Sequence, residues 1–347
     1  MKISKINDIL NNTKEYIKHP EDYNFGDIAL DLYDLHRLHN KNYKKYSIGK
    51  LDDWHKIPLV PAYEFSKRKF QLNNFNGFIP TNEIEFISKG QKPKHHSLLD
   101  TEFLRASITN NFSFSVMNIS HIPSNRIIFL GDKQPNSLLS YIYEYLAEIN
   151  DTSGTYNYVN PTDKNAIEDF FKSYSVSQKY EPLTVVGTPS QFLLFKLTVD
   201  SSEVNPIIDV SSGHPTLVQF GDHLELSSMG TSLFELNYWL KDFFHTDINN
   251  IIQIYYATEL SSQLFRWGDN ATYFIPPTVS VRVLDPFTGE QLDSGVEGNL
   301  AFIDIANVWS CPFIISDDLG VMHRYSDHSV QITRRSNETL KTGIAPK

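Results

Sequence analysis

Cysteine is almost absent from this chain of 347 residues, since Cys311 is the only one. A single thiol excludes an intramolecular disulfide and a structural zinc site built from several cysteines. Long apolar runs are also missing: no stretch approaches the length that crosses a bilayer, and the polar amino terminus has no apolar leader segment. These absences predict a cytoplasmic protein without membrane insertion.

Positive charge is in short supply as well, because 31 Lys and Arg stand against 41 Asp and Glu, a net charge of −10. A chain this acidic gains no counterion release from a phosphate backbone, which argues against nucleic acid as a partner. The GxSxG nucleophile elbow and the HExxH metal motif are both missing. The composition, with 40% hydrophobic and 21% charged residues, is that of an ordinary globular protein.

Strands and helices alternate through the first 250 residues or so. Amphipathic helices are predicted at Ile3–Ile17 and Ser137–Ile149, and buried strands at Arg126–Leu130 and Leu183–Gly187. This alternation indicates an α/β fold with much parallel sheet. From Phe274 onward the pattern predicts strands and turns only.

One stretch, Ile252 to Ser262, is organised as a strand with a polar end. Ile252 and Ile254 alternate with more polar residues, which predicts a strand with one face covered. Thr258 and Glu259 follow at its end. Glu offers the hard oxygen ligand that Mg²⁺ prefers and Thr can hydrogen-bond a phosphate, so the pair favours nucleotide chemistry. A solvated strand end is the alternative interpretation.

A fixed order of turns and strands follows downstream. A D-P-x-T-G-E turn occupies Asp285–Glu290, a G-x-E-G turn occupies Gly295–Gly298, and an apolar strand ends in the acidic D-L-G of Asp318–Gly320. Together with the Y-x-x-T-E of Tyr255–Glu259, this order resembles that of adenylate-forming enzymes. Within them it is most similar to the acyl-protein synthetase family of bacterial bioluminescence, the long-chain fatty acid to protein ligases, which are related to phenylacetate-CoA ligases.

The resemblance implies an α/β fold of the adenylate-forming type. Its large N-terminal core has mixed, largely parallel sheets flanked by helices, and it is expected at residues 1–330. A small distorted β-subdomain is expected within it at about 275–330. Residues 331–347 are expected to form a hinge-like tail without the C-terminal lid domain of larger relatives.

The phosphate loop of the family falls between Ser88 and Lys94. Ser88, Gly90 and Lys94 fit the pattern S-G-T-T-G-x-P-K with about two residues lost, but the paired threonines and the second glycine are absent. Small residues let backbone N–H groups close around phosphate oxygens, and Lys89, Lys92 and Lys94 could replace part of that donation by charge. A basic surface loop that no longer holds a nucleotide is the alternative.

The resemblance implies three catalytic residues. Glu259 would be the metal ligand that holds Mg²⁺ against the phosphates, Thr258 would contact the α-phosphate, and Lys341 would neutralise the charge that develops on the adenylate. The remaining site residues are implied to bind ATP: Ser88, Gly90, Lys94, Gly230, Tyr256, Asp318 and Arg335. Among these, Asp318 would accept both ribose hydroxyls with help from Arg335, and Gly230 stands where the family has a glycine turn.

The implied function is ATP-dependent and Mg²⁺-dependent activation of a carboxylic acid, fatty or other, as an acyl-adenylate, with transfer to a thiol on a carrier protein, CoA or a partner enzyme. Family members carry an acyl-accepting cysteine where this chain has Ile344. Cys311 could replace it, or could be an inert core thiol. Two other functions stay open: an acyltransferase that uses a pre-activated donor, and a degenerate non-catalytic partner subunit.

Overall fold

The computed structural model describes residues 1–72, 83–88, 92–112, 126–150, 157–177, 183–202, 214–221, 226, 229–323 and 328–335. Its helices are α1 Ile3–Lys18, α2 Phe25–His39, α3 Glu102–Phe112, α4 Leu138–Asn150, α5 Lys164–Ser177, α6 Pro189–Asp200 and α7 Leu233–Phe243. Its strands are β1 Val60–Pro61, β2 Ile84–Ile87, β3 His95–Leu98, β4 Arg126–Leu130, β5 Asn157–Val159, β6 Leu183–Gly187, β7 Thr216–Phe220, β8 Ile251–Tyr255, β9 Leu264–Trp267, β10 Tyr273–Phe274, β11 Val279–Leu284, β12 Gly298–Asp304, β13 Phe313–Met322 and β14 Ser329–Arg335.

These elements belong to two compact units. Unit 1 comprises the described residues of 1–111, 257–264 and 272–347, and unit 2 comprises those of 112–256 and 265–271. The predicted α/β class with mixed, largely parallel strands is confirmed. The predicted boundaries at about 275 and 330 stay a prediction.

Unit 2 is built on a parallel sheet. Its strands follow the order β9-β8-β7-β6-β4-β5, and the pairs from β8 through β5 are parallel. Parallel strands of this kind are covered on both faces, and β6, β7 and β8 are buried at every residue. The prediction that the strand at Ile252 has one covered face was therefore wrong. Gln253 and Tyr255 are as buried as the isoleucines beside them.

Local sequence signals of unit 2 are confirmed. Strands β4 and β6 begin and end at the predicted residues. Helix α6 begins after a capping box, in which Thr188 Oγ1 accepts from Gln191 N at 3.2 Å and Gln191 Oε1 accepts from Thr188 N at 2.7 Å. Pro189 occupies the first helical position, where its missing N–H costs nothing.

Unit 1 is largely antiparallel. Its strands follow the order β11-β12-β13-β14-β10, and β1 runs parallel to β13. Buried polar contacts fasten helix α2 to the segment before β13, because His36 Nε2 lies 3.0 Å from Val308 O and Asn40 Nδ2 donates to Ser310 O at 2.9 Å. Helix α1 contacts the segment before β11 through Tyr16, whose hydroxyl donates to Pro277 O at 2.6 Å. The N-terminal helices thus support the strands of unit 1.

Two buried histidines make the stability of the fold depend on pH. Burial lowers the pKa of His36 to about 3 and the pKa of His96 to about 4. Both are therefore neutral in the folded chain, and the unfolded chain binds more protons below about pH 6.5. The free energy of unfolding should fall as the pH drops from about 6.5 towards 4, by up to ~1.4 kcal/mol per pH unit for each histidine.

Urea denaturation between about pH 7 and pH 5 measures this slope. His36→Gln, which keeps a donor for Val308 O without a titrating group, should remove the share of one histidine. An unchanged slope in that variant would contradict the assignment.

Candidate active site

Two of the predicted nucleotide-binding residues, Ser88 and Lys94, form the neck of the β2–β3 hairpin, where the chain leaves β2 and enters β3. Ser88 N donates to Lys94 O at 3.0 Å, and Ser88 Oγ accepts from Lys94 N at 2.8 Å. These two hydrogen bonds fix the point at which Lys94 leaves the hairpin. Gly90, the third residue predicted here, lies outside the described residues.

Lys94 bridges two carboxylates that come from distant parts of unit 1. Its Nζ lies 2.8 Å from Glu259 Oε1 and 2.7 Å from Asp317 Oδ2. The Glu259 side chain is only 3% exposed, and those of Lys94 and Asp317 are about one-fifth exposed. Burial alone would lower the pKa of Lys94, but the two carboxylates outweigh it and raise that pKa above its ordinary value. Lys94 is therefore a permanent positive charge at this site.

Asp304, at the end of β12, holds the segment that carries Glu259. Its carboxylate is fully buried and accepts hydrogen bonds from Ser261 N at 2.7 Å, Ser262 N at 2.9 Å and Ser262 Oγ at 2.7 Å. Burial raises the pKa of Asp304, and these hydrogen bonds oppose that shift. The turn after Glu259 is thus anchored on a buried acceptor.

Asn307 connects the backbone of Glu259 to the hairpin. Its Nδ2 donates to Glu259 O at 2.8 Å and to Cys311 O at 2.8 Å. Its Oδ1 lies 2.9 Å from His96 Nε2, and an amide oxygen can only accept, so His96 donates from that nitrogen. His96 is two residues from Lys94 in the same hairpin. One side chain therefore sets the position of both partners of the Lys94–Glu259 pair.

Sequence reasoning missed this supporting network. The signal that could have revealed it is the pair of polar residues Asp304 and Asn307, which interrupts the apolar run from Leu300 to Val308. Buried polar residues require hydrogen-bond partners, and the partners of Asp304 and Asn307 in the segment after β8 lie more than forty positions away.

Asp317 contacts Lys94, whereas the residue singled out from the sequence was Asp318. Consecutive side chains of a strand point to opposite faces, so β13 directs Asp318 away from the lysine. Asp318 is 4% exposed, and Ser316 Oγ donates to its Oδ2 at 3.4 Å. Arg335 is the residue opposite Asp318 on the β13–β14 ladder. The register thus brings these two predicted ribose contacts side by side, and their role stays a prediction.

The other predicted residues are placed as follows. Thr258 is half-buried beside Glu259, and its backbone contacts His96. Tyr256 lies in unit 2, where its ring meets Phe220 edge-on at 6.2 Å. Gly230, also in unit 2, has φ of +79° with nothing within 4 Å of the place where a Cβ would stand. A turn that needs positive φ accounts for this glycine. Lys341 lies outside the described residues.

The two carboxylates fit a magnesium ion that is shared with a phosphate. Glu259 Oε1 and Asp317 Oδ2 converge on one point, the Lys94 ammonium, at 2.8 and 2.7 Å. Mg²⁺ takes one or two protein carboxylates and completes its shell with substrate phosphates and water. Among the described residues no group of three or more His, Cys, Asp or Glu forms a metal cage. Glu259 and Asp317 would hold the ion after Lys94 had moved.

Cys311 is a core thiol. It is fully buried, its Sγ donates to Phe313 O at 3.7 Å, and burial raises its pKa to about 12. A neutral, shielded thiol is a poor nucleophile. Of the two interpretations of this residue, the structure favours the inert one.

A model of the family described as acyl-protein synthetase, LuxE, matches residues 116–346, about two thirds of the chain. The chain belongs to the acyl-protein synthetase family. The predicted family is thus confirmed, and with it the prediction of an acyl-activating enzyme at the level of that family. A relative from Aliivibrio fischeri, named long-chain-fatty-acid–luciferin-component ligase, is 24% identical over 367 aligned positions, which cover 99% of this chain and 93% of the relative.

Solved structures similar to this family member share its fold. A 2-hydroxyisobutyryl-CoA ligase in complex with 2-HIB-AMP and CoA has a TM-score of 0.66 at 12% identity, covering 89% of this chain and 69% of the ligase. An ATP-bound RpMatB-BxBclM chimera has a TM-score of 0.50 at 15% identity, covering 72% of this chain. The alignment spans 47% of the chimera, about half of its length. Among the described residues, no helix is long and apolar enough to cross a membrane.

We expect Asp304→Asn to loosen the segment that carries Glu259. The substitution turns one carboxylate oxygen into an NH₂ group that faces a donor, which leaves buried polar groups unsatisfied and should cost about 2–4 kcal/mol of unfolding free energy. Urea denaturation measures the loss. The matched control is Asp293→Asn at an exposed turn, which should change stability by less than about 0.5 kcal/mol. Equal effects of the two substitutions would contradict the anchoring role.

Proposed function

We propose that this family member activates a carboxylic acid with ATP and Mg²⁺ as an acyl-adenylate and passes the acyl group to a thiol on another molecule. The observation that supports this most is the cluster of Lys94, Glu259 and Asp317, which combines a fixed cation with two carboxylates at the neck of the predicted phosphate loop. The names of the relatives agree, since one is a fatty-acid ligase and two structures hold ATP or an acyl-adenylate.

In the proposed reaction a carboxylate oxygen of the acid attacks the α-phosphorus of ATP. A C–O–P bond forms, the bond between the α-phosphorus and its bridging oxygen breaks, and pyrophosphate leaves. The Lys94 ammonium would move to the phosphate oxygens, so that Glu259 and Asp317 become available to Mg²⁺. Thr258 would contact the α-phosphate. Each group acts by position and charge rather than by covalent chemistry.

The same proposal assigns the remaining nucleotide contacts. Asp318 would accept the ribose hydroxyls beside Arg335, and Lys341 would neutralise the adenylate. The loop residues Ser88 and Gly90 would border the phosphates. Tyr256 and Gly230 would contribute to binding ATP. A core at residues 1–330 with a β-subdomain from about 275, a hinge-like tail at 331–347 and a cytoplasmic location belong to this proposal as well.

In this proposal the acceptor thiol belongs to a separate molecule. Cys311 is the only cysteine of the chain, and it is fully buried. In the transfer step an external thiolate attacks the acyl carbonyl, a thioester bond forms and AMP leaves. A carrier protein, CoA or a partner enzyme can provide that thiol.

Carboxylate-dependent exchange between ATP and pyrophosphate tests adenylation without any acceptor. We expect exchange with one class from a panel of fatty, short-chain, aromatic and hydroxy acids. Glu259→Gln should lower the rate at least about 100-fold, because it removes the carboxylate that would hold Mg²⁺ against the reacting phosphates. Glu290→Gln, at an exposed turn, is the matched control and should exchange like the wild type.

Adenylation would be refuted if the folded wild type catalyses no exchange with any acid of the panel and binds no ATP by calorimetry. Acyl transfer from a thioester donor in that case would establish the acyltransferase alternative. The absence of both activities would point to a non-catalytic subunit.

A further inference from the structure

Positive charge is concentrated in one segment of an otherwise acidic chain. Between residues 41 and 69 the sequence has eight Lys and Arg against three Asp and Glu, a local net charge of +5. The whole chain has a net charge of −10, so the remainder carries −15. This uneven distribution of charge affects which partners bind where, because an acidic molecule is attracted to the positive segment and repelled by the acidic remainder.

The fold of unit 1 gathers these charges on one surface, here called the basic patch. Its members are Lys41, Lys44, Lys45, Lys67, Arg68 and Lys69. Asn42 Nδ2 donates to Lys69 O at 2.6 Å, which joins the two ends of the segment. The carboxylate of Glu64 lies 3.3 Å from both Lys45 Nζ and Lys67 Nζ and 2.9 Å from Arg68 Nε. Positions more than twenty residues apart therefore share one face.

The basic patch keeps a net positive charge after its internal pairs are counted. Glu64 is only 5% exposed and balances one of the three cations around it. Lys69 pairs with Glu83. No described carboxylate forms an ion pair with Lys41 or Lys44, which are both exposed. Six cations against the two carboxylates of Glu64 and Glu83 leave a charge of +4 on the basic patch.

Aromatic rings hold two of these ammonium groups in place. Lys45 Nζ lies 4.7 Å from the ring centroid of Tyr46, and Lys67 Nζ lies 4.1 Å from that of Tyr63. Cation–π contacts of this kind restrict the lysine side chains before a partner arrives, so less side-chain entropy is lost on binding.

We propose that the basic patch docks the acidic surface of the protein that delivers the acceptor thiol. This inference rests on the proposed function, which requires a thiol from outside the chain. A chain of net charge −10 repels an acidic carrier on average, whereas the basic patch attracts it, so the patch favours encounter at this surface. Nucleic acid fits less well, because its continuous phosphate charge would also face the acidic remainder.

The test is binding of holo-acyl carrier protein, an acidic protein with a phosphopantetheine thiol, to the full chain by fluorescence anisotropy. The charge reversal Lys41→Glu with Lys44→Glu should weaken binding at least about tenfold at low salt, and the difference should nearly vanish at about 0.5 M salt. The matched control Lys164→Glu with Lys172→Glu changes net charge equally on exposed positions of α5 in unit 2 and should bind like the wild type. Thermal unfolding verifies that both variants are folded.

Three results would overturn the inference: no binding of the carrier to the wild type, equal binding by the two double variants, or tighter binding of a single-stranded DNA than of the carrier. Exchange between ATP and pyrophosphate by the wild type separates this inference from the proposed function. Exchange without carrier binding overturns the docking surface alone, whereas patch-dependent carrier binding without exchange supports the docking surface and overturns adenylation.

Discussion

The Lys94 ammonium group is the interaction on which the candidate active site depends. It lies within 2.8 Å of carboxylates from the turn after β8 and from β13. Without it, two negative charges would face each other in a poorly hydrated space, and leaving charges unpaired in such a space costs several kcal/mol. The lysine therefore stabilises the protein in the absence of nucleotide, and the same charge is suited to receive phosphate oxygens. Structural and chemical roles coincide in one side chain.

A second layer of buried polar groups gives this arrangement its precision. Asp304 fixes the segment after Glu259, and Asn307 connects the Glu259 backbone to His96 in the lysine's own hairpin. The side-chain oxygens of Asp304 and both polar atoms of Asn307 have hydrogen-bond partners, and satisfied buried polar groups of this kind rigidify a site rather than weaken it. Cys311 belongs to the same layer through its carbonyl, and its thiol is buried. The geometry thus favours a site for charge stabilisation rather than one built around the buried Cys311 thiol.

Sequence reasoning predicted the local elements well because their signals are local. The Thr188-Pro189 helix start and the strands β4 and β6 follow from capping chemistry and apolar runs. The face that each strand presents was harder: β8 is covered on both sides by neighbours that the alternation of its own residues does not reveal. In β13 a shift of one residue separates Asp317 from Asp318 and turns the side chain to the other face. The resemblance to a family singled out Lys94 and Glu259, which the fold brings into contact, and their role towards ATP stays a prediction. Asp304 and Asn307 depend on contacts that only the fold creates.

In the proposed site Lys94 occupies the carboxylate pair until phosphates draw it away. Binding of Mn²⁺ to the nucleotide-free chain, followed by electron paramagnetic resonance, tests this most directly. Lys94→Met should bind Mn²⁺ at least about tenfold more tightly than the wild type, because the released carboxylates attract a cation. Glu259→Gln added to Lys94→Met should abolish this gain. Equal Mn²⁺ affinity of the wild type and Lys94→Met would contradict the claim.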